Sequence, residues 1–519
     1  MGDGFSAPWE PEPERVLDFL NAGNSGIRGW PAARLTVTPD VCPADAGNGV
    51  WQLPSPSTLQ GMANALSCPM YPQRRKQGDP DIMTEGQNSE MVAMKQVDCD
   101  VLVIGGGPAG STIAALLAER GHRVTLLEKE HHPRFHIGES LLPHNMPMLD
   151  RLGVREQMEA IAMPKYGIEF VSPFHGRSMQ YDFARAWNRN FPYAFQVRRS
   201  EFDFVLLKNA AAKGASVVEG CRVESVEFPE KAAPCAIGLD EGGTRRTWTA
   251  RFVVDATGRD TLLASQMGTK TRHPRHTSAA IYAHFVGARR LPGKAAGNIT
   301  IVWFDNGWFW FIPLADGTTS VGAVCSPEFL KTRRGDLASF FYGIIALSPE
   351  VSDRLKDATL VGSVTATGNY SYASSVTSGP GFLMVGDACS FIDPVFSSGV
   401  YLAMLGAFSA ADAVDTCLRH PERATTALRQ YDASVRRALG AFTWFIYRIR
   451  QPAMRNLFMS PRNTFRVEEA VLSLLAGDIF EGWHVRLRLY LFRGLYYATR
   501  LGQWLRFRGK EGGSAIQGG

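Results

Sequence analysis

The sequence lacks several patterns that mark other classes of protein. Its eight cysteines include no C-x-x-C pair and no paired spacing, so we expect reduced thiols and no metal site rather than a disulfide framework or a zinc centre. No apolar run reaches the roughly 18 residues that a membrane span needs, which predicts no transmembrane segment. The net charge of +5 is too small to favour nucleic-acid binding. These absences indicate a soluble, cytoplasmic protein.

The first part of the chain differs in composition from the rest. Residues 1–96 contain 11 of the 30 prolines and show no sustained periodicity. Such a segment buries too little apolar surface to offset its ordering entropy, so we expect a disordered extension. The alternative is a gene start placed too early, because Met83, Met91 and Met94 all stand just before the first strand-like run.

From Asp98 onward the pattern reads as strand, glycine turn, helix and strand. Gly105, Gly107 and Gly110 form G-x-G-x-x-G, which permits a tight turn, close backbone approach to a pyrophosphate, and packing of helix on strand. Glu128 closes the second strand, where a carboxylate can accept hydrogen bonds from ribose hydroxyls. The candidate dinucleotide-binding residues are Gly105, Gly107, Pro108, Ala109, Gly110 and Glu128. The alternative is a glycine-rich turn without a ligand.

Residues from about 160 to 330 alternate between apolar and polar types, which predicts mainly antiparallel sheet. In GWFWFIP, which spans residues 307–313, the strand period of two places Trp308 and Trp310 on one face and the phenylalanines on the other. The closing proline cannot donate to a ladder, so it ends the strand or lies on an edge. An ordinary core strand and a rigid wall beside a ligand are both compatible with this pattern.

Further segments complete a family pattern. They are Gly138-Glu139-Ser140 in PRFHIGESL, Arg199 in VRRSEFD, Gly386-Asp387 in LMVGDA, and FIDPVFSSGV at residues 391–400. With the glycine turn and W-x-W-x-I-P, the chain from about residue 98 to 450 resembles the flavin-dependent halogenases, which are relatives of the single-component flavin hydroxylases.

The resemblance implies a fold and a cofactor. The fold is α/β, with an FAD-binding, Rossmann-like, three-layer domain and an antiparallel-sheet substrate domain, discontinuous over residues 97–440, and a helical region at 441–519. The implied FAD contacts are Glu139, Ser140, Arg199 and Asp387. For Asp387, a helix cap is the alternative role.

The resemblance also implies a reaction in which FAD, supplied reduced, dioxygen and chloride give hypochlorous acid. Trp308 and Trp310 would keep an organic substrate away from the flavin, so that only a small anion reaches it. Ser398 and Gly399, at a helix start in the family's F-x-x-P-x-x-S-x-G segment, are the candidate halide-binding residues. An ordinary capped helix start is the alternative.

Lys165, in MPKYGIEF, aligns with the lysine that family members place at the end of the oxidant tunnel. An isolated lysine on a strand is more often solvated surface. A neutral Lys165 could be chlorinated to a chloramine, whereas a charged one could polarise hypochlorous acid. Burial would lower its pKa from about 10.4 and favour the neutral role. The sequence leaves both roles open.

One departure from the family pattern bears on the substrate. Phe396 stands where tryptophan halogenases carry a glutamate before the halide-loop serine, which favours a phenol, or a tyrosyl or pyrrolyl group tethered to a carrier protein. The single glycine fingerprint implies a separate NAD(P)H-dependent flavin reductase. Two other hypotheses remain: an FAD-dependent hydroxylase or related oxidoreductase of the same fold, and a flavin-binding scaffold without turnover.

The C-terminal region is arginine-rich and aromatic. Between residues 448 and 511 there are twelve Lys or Arg against five Asp or Glu. Such a region could dock an acidic carrier protein, lie over the substrate pocket, or form an amphipathic helical cover whose charges face water.

Overall fold

The computed structural model describes residues 97–273, 278–368, 371–461, 464–479 and 482–514, so the expectations for residues 1–96 lie outside the described residues. The strands are β1 Cys99–Ile104, β2 Val124–Leu127, β3 Met163–Lys165, β4 Gly167–Ser172, β5 Arg177–Asp182, β6 Ala194–Gln196, β7 Ser216–Val218, β8 Arg222–Glu227, β9 Cys235–Leu239, β10 Arg245–Asp255, β11 Lys270–Arg272, β12 Ala279–Val286, β13 Ile299–Phe304, β14 Gly307–Pro313, β15 Thr318–Cys325, β16 Thr359–Thr367, β17 Tyr372–Ser374, β18 Ser378–Gly379, β19 Phe382–Met384 and β20 Ser390–Phe391.

The helices complete the framework. They are α1 Pro108–Glu119, α2 Met146–Leu152, α3 Arg155–Ile161, α4 Arg199–Ala212, α5 Leu262–Gln266, α6 Pro327–Leu330, α7 Leu337–Ala346, α8 Pro349–Arg354, α9 Gly399–Arg419, α10 Ala424–Ile446, α11 Pro452–Met459, α12 Val467–Ala476 and α13 Gly482–Ser514.

The first sheet has the parallel order β19-β10-β1-β2-β7, with β18 antiparallel at one edge. Strand β1 is apolar at successive positions because both of its faces are buried. Val101 and Val103 pack with α1, α4 and α9, whereas Leu102 and Ile104 pack toward the antiparallel β8-β9-β10 ribbon and α5. The three layers confirm the expected Rossmann-like domain.

The second sheet has the order β16-β12-β15-β14-β13-β4-β5, and only β4 and β13 pair in parallel. The range of about 160–330 is not a single sheet, since β7 to β10 lie within it but belong to the first sheet, while β16 lies beyond it and pairs with β12. The two sheets are therefore interleaved along the chain.

Helices cover the end of the second sheet. Helix α10 runs through position 440, so no change of element marks the boundary placed there. Helix α11 packs on β4 and β5, and α13 packs on α11 and α12. The expected helical C-terminal region is confirmed over the described residues.

One helix has properties that the sequence pattern did not indicate. The segment Ser398–Arg419, which contains α9, is long and apolar enough to cross a membrane by length and composition. Half of its most apolar window is buried inside the protein, and α9 packs between α1 and α10. Burial as a core helix accounts for its composition.

Candidate active site

The glycine turn between β1 and α1 has geometry that only glycine allows at two positions. Gly105 has φ of +107°, in the region that favours glycine, and a Cβ there would overlap the carbonyl oxygen of Ala256. A Cβ at Gly110 would overlap the carbonyl oxygen of Gly105, so the third glycine of the motif brings helix against strand. Gly107 precedes Pro108, which begins α1. The turn therefore has the shape that the fingerprint predicts.

The carboxylate of Glu128 is oriented by backbone groups. It accepts hydrogen bonds from the N–H of Gly106 at 2.6 Å and from the N–H of Glu130 at 2.9 Å, and the side chain is buried. Because these contacts fix the carboxylate at the end of β2, it lies on the wall of the cleft that begins at the glycine turn.

This cleft has a volume of about 720 Å³ and extends from the glycine turn to strand β14. The lining residues that the sequence indicated are Gly105, Gly107, Pro108, Ala109, Glu128, Glu139, Ser140, Arg199, Trp308, Trp310, Asp387 and Gly399. Gly110 packs beneath the turn, and Lys165 and Ser398 lie behind the wall of the cleft. The fold thus brings most of the candidate residues to one surface.

Arg199 is held in place by a buried carboxylate. Its guanidinium forms two hydrogen bonds with Asp203, at 2.8 and 2.9 Å, and donates to the carbonyl of Ile137 at 3.0 Å. Arg134 donates to the same carboxylate. Burial alone would raise the pKa of Asp203, but Arg199 and Arg134 hold it below its ordinary value. Arg199 therefore stays fixed on the cleft wall.

Asp387 is a candidate hydrogen-bond acceptor on the wall of the cleft. Its carboxylate receives no hydrogen bond from the residues that the structure describes, and Asp387 is not a helix N-cap residue, since it lies inside the short turn Gly386–Ala388, whose N-cap position is Val385. Burial raises the pKa of Asp387 to about 6, with Arg199 and Arg259 opposing the shift. A half-buried acceptor that lines the cleft and has no partner among the residues that the structure describes fits a ligand that donates hydroxyl groups.

The loop Gly138–Ser140 holds two buried polar pairs. Glu139 contacts His284 Nε2 at 2.7 Å through one carboxylate oxygen, and the other oxygen has no partner among the described residues. Ser140 Oγ accepts a hydrogen bond from Lys165 Nζ at 2.9 Å. The loop therefore connects the cleft to side chains on the second sheet and on β3.

Lys165 is fully buried, which contradicts the interpretation as solvated surface. It ends strand β3, which pairs with β6, and its amine also donates to the carbonyl of Leu141 at 3.0 Å. The ring of Phe183 lies 5.4 Å from the amine. Burial lowers the pKa of Lys165 to about 7. A neutral amine is therefore available near neutral pH.

Trp308 and Trp310 form one wall of the cleft. Both are buried, their ring centroids lie 6.1 Å apart, and Trp310 Nε1 donates to Ser320 Oγ at 3.1 Å. Phe309 and Phe311 pack on the other face of the sheet against α7. The predicted alternation is confirmed. The indoles belong to the hydrophobic core and also line the cleft, so the structure is compatible with both interpretations and the role as a wall stays a prediction.

The candidate halide loop leads into α9. Ser397 has φ of +56°, Ser398 precedes the helix, and Gly399 is its first residue. Ser398 is buried, and its hydroxyl has no partner among the described residues. Phe396 is buried and stacks on Phe458 with centroids 6.2 Å apart. An unpartnered hydroxyl at a helix start can donate a hydrogen bond to a small anion.

Three supporting residues were missed by the sequence interpretation. Asp203 stands in the same segment as Arg199, at the i+4 spacing that allows an ion pair, so its role could have been read from the helix. His284 and Gly322 gave no local signal. His284 reaches Glu139 through a side-chain contact between the second sheet and the loop, and Gly322 faces Trp310 through strand pairing.

The first sheet carries the glycine turn, and one large cleft extends from this turn to the antiparallel second sheet. This arrangement is typical of FAD-dependent oxidoreductases. Residues 98–442 match a family described as FAD binding domain. Together with the relatives described next, this match shows that the chain belongs to the flavin-dependent halogenase family.

Named relatives agree with this assignment. A tryptophan 2-halogenase of Chondromyces crocatus is 38% identical over 61% of this chain and 61% of its own length. A chlorinase of pyrrole-2-carbonyl groups on a peptidyl-carrier protein, from Pseudomonas fluorescens, is 30% identical over 75% of this chain and 91% of its own. The solved structure of the myxobacterial chondrochloren halogenase is 32% identical, covers 78% of this chain and 97% of its own, and has a TM-score of 0.66.

Proposed function

We propose that this protein chlorinates an electron-rich aromatic ring with reduced FAD, dioxygen and chloride. The observation that carries the proposal is the position of Lys165, which is fully buried yet hydrogen-bonded to Ser140 on the cleft wall. Because burying a lysine costs free energy, the buried amine supports a functional role at this position.

The residues of the cleft would hold FAD in a defined way. The glycine turn and the first turn of α1 would receive the pyrophosphate, Glu128 the ribose, and Asp387 the ribityl hydroxyls. Glu139, Ser140 and Arg199 would lie beside the rest of the cofactor. When bound and reduced, FAD would activate dioxygen, and dioxygen is the oxidant that converts chloride to hypochlorous acid.

The chain would separate the oxidant from the organic substrate. Trp308 and Trp310 form a rigid wall that keeps a ring out of the cleft while a small anion passes. Ser398 and Gly399 would bind chloride through the unpartnered hydroxyl and the backbone N–H groups of the helix start. Hypochlorous acid would then move past Ser140 to Lys165.

Lys165 would carry the chlorine to the substrate. The lone pair of its neutral amine attacks the chlorine of hypochlorous acid, so an N–Cl bond forms, the Cl–O bond breaks, and hydroxide leaves as water with the amine proton. The aromatic carbon then attacks the same chlorine. The N–Cl electron pair returns to nitrogen, which takes up a proton in place of the one lost from the ring. Burial favours this neutral role.

The substrate we propose is a phenol or a comparably electron-rich ring, free or bound to a carrier protein. Phe396 is buried against Phe458, so the position before the halide-loop serines offers no carboxylate to stabilise a developing cation. A phenol needs less such help once it has lost its proton. A carrier-bound acceptor would agree with the pyrrolyl chlorinase among the relatives.

A separate NAD(P)H-dependent flavin reductase would supply the reduced FAD, because the sequence carries one glycine fingerprint. The test is incubation of the purified protein with reduced FAD, oxygen, chloride and a panel of phenols, followed by mass spectrometry. A product with a chlorine isotope pattern supports the proposal. A product with one added oxygen indicates a hydroxylase, and bound FAD without any product indicates a scaffold.

A further inference from the structure

Helix α13 presents apolar side chains in two directions. Val485, Phe492 and Tyr496 are buried, and Trp444 lies against Tyr496 with ring centroids 5.3 Å apart. On the opposite side a set of large apolar side chains is exposed, with Trp483 61% and Tyr490 64% accessible. A surface helix usually turns its polar face to water, so an exposed apolar face of this size indicates an interaction surface.

The exposed residues follow a seven-residue repeat. We call them the seam, which consists of Trp483, Leu487, Tyr490, Gly494, Tyr497, Leu501 and Trp504. Successive seam residues are alternately four and three positions apart, which is the spacing by which one helix packs against another. Of the positions that would face solvent in such a pair, Val485, Phe492 and Tyr496 are buried against the protein itself, whereas Leu495 is exposed. The seam is thus left for a second helix.

One edge of the seam is cationic and the other is apolar. Arg486, Arg493 and Arg500 each stand directly before a seam residue, and no Asp or Glu occurs between Gly482 and Lys510. Arg486 is exposed, whereas Arg493 is half-buried with its guanidinium 5.0 Å from the ring centroid of Trp444. The opposite edge carries Leu491 and Leu505, both exposed. A partner that matches this surface needs an apolar stripe with carboxylates along one edge only.

We propose that the seam docks an amphipathic helix of a partner protein that carries acidic side chains along one edge. A second copy of α13 offers no carboxylate between Gly482 and Lys510 to the arginines, and antiparallel pairing would place arginine against arginine. A membrane surface would meet both edges alike, whereas only one is cationic. This inference does not depend on the proposed reaction.

The test uses the full-length protein and a synthetic acidic peptide of three heptads, with leucine at both core positions, glutamate at the flanking position that faces the arginines and alanine at the other flanking position. A peptide with lysine in place of glutamate is the control probe, and binding is measured by fluorescence anisotropy. The variants are Leu487→Ala combined with Tyr490→Ala, and Arg486→Glu. Their matched controls are Leu347→Ala and Arg245→Glu, which change exposed residues elsewhere.

We expect the acidic peptide to bind, the lysine peptide to bind at least tenfold more weakly, and both seam variants to lose at least tenfold in affinity while their controls do not. Circular dichroism establishes that each variant is folded. Absence of binding, or binding that the seam variants leave unchanged, would overturn the proposal. So would an oligomer, or binding to anionic lipid vesicles, that depends on the seam while the acidic peptide does not bind.

Discussion

Lys165 Nζ lies 2.9 Å from Ser140 Oγ, and this contact joins a side chain sealed from solvent to a residue on the wall of the FAD cleft. The second hydrogen bond of the amine, to the Leu141 carbonyl, comes from the same loop. The loop beside the cofactor site thus positions the amine that we propose as the chlorine carrier.

Replacing Ser140 should remove the hydrogen bond that joins the Lys165 amine to the cleft wall. We expect Ser140→Ala to chlorinate roughly tenfold more slowly, because a hydrogen bond to an amine at a buried site contributes about 1.5 kcal/mol. Because Ser140 also lines the cofactor cleft, the chlorination rate is expressed per bound FAD, so that a loss of cofactor is distinguished from a loss of chlorination. Ser409→Ala, which alters a serine on α9 away from the amine, is the matched control. A chlorination rate equal to that of wild type would show that the Ser140 hydroxyl has no role in the reaction.

The buried amine should make stability depend on pH. Between about pH 7 and about pH 10, the unfolded chain holds Lys165 protonated while the folded protein holds it neutral. The unfolded state then binds more protons, so the unfolding free energy of wild type should rise with pH relative to that of Lys165→Met, by up to about 1.4 kcal/mol per pH unit. Urea unfolding at several pH values measures this difference, and a difference that stays flat or falls would contradict a neutral amine.

Gly322 should be required for the position of Trp310. The two residues pair across β14 and β15, and a Cβ at position 322 would overlap the indole ring. Gly322→Ala should therefore displace the ring, cost about 1–3 kcal/mol of stability and raise the ratio of peroxide to chlorinated product. Gly343→Ala, where the added methyl group meets open space, is the control. An unchanged product ratio would show that the position of Trp310 does not control the reaction.

The hydroxyl of Ser398 should matter for chloride. Ser398→Ala removes the buried, unpartnered group at the start of α9, so we expect a several-fold higher KM for chloride with little change in FAD content. The control is Ser434→Ala, on α10. Chloride titration of the chlorination rate gives the result, and an unchanged KM would place the halide elsewhere.

Local motifs were predictable because their chemistry depends on neighbouring residues. The glycine turn, the alternation of GWFWFIP and the start of α9 follow from spacing along the chain, and the structure agrees with each. The burial of Lys165 was not predictable from MPKYGIEF, since it depends on the pairing of β3 with β6 and on the loop that carries Ser140. Likewise, the need for Gly322 arises only from cross-strand register. The roles assigned to Lys165, Ser398 and Gly399 remain predictions.

The most direct measurement compares wild type with Lys165→Met, supplied with reduced FAD, oxygen, chloride and a phenol that wild type chlorinates. Bound FAD, peroxide and chlorinated product are quantified in the same reaction. We expect the variant to keep its FAD and still form peroxide but to lose at least a hundredfold in chlorinated product. Chlorination at the wild-type rate without the amine would contradict it.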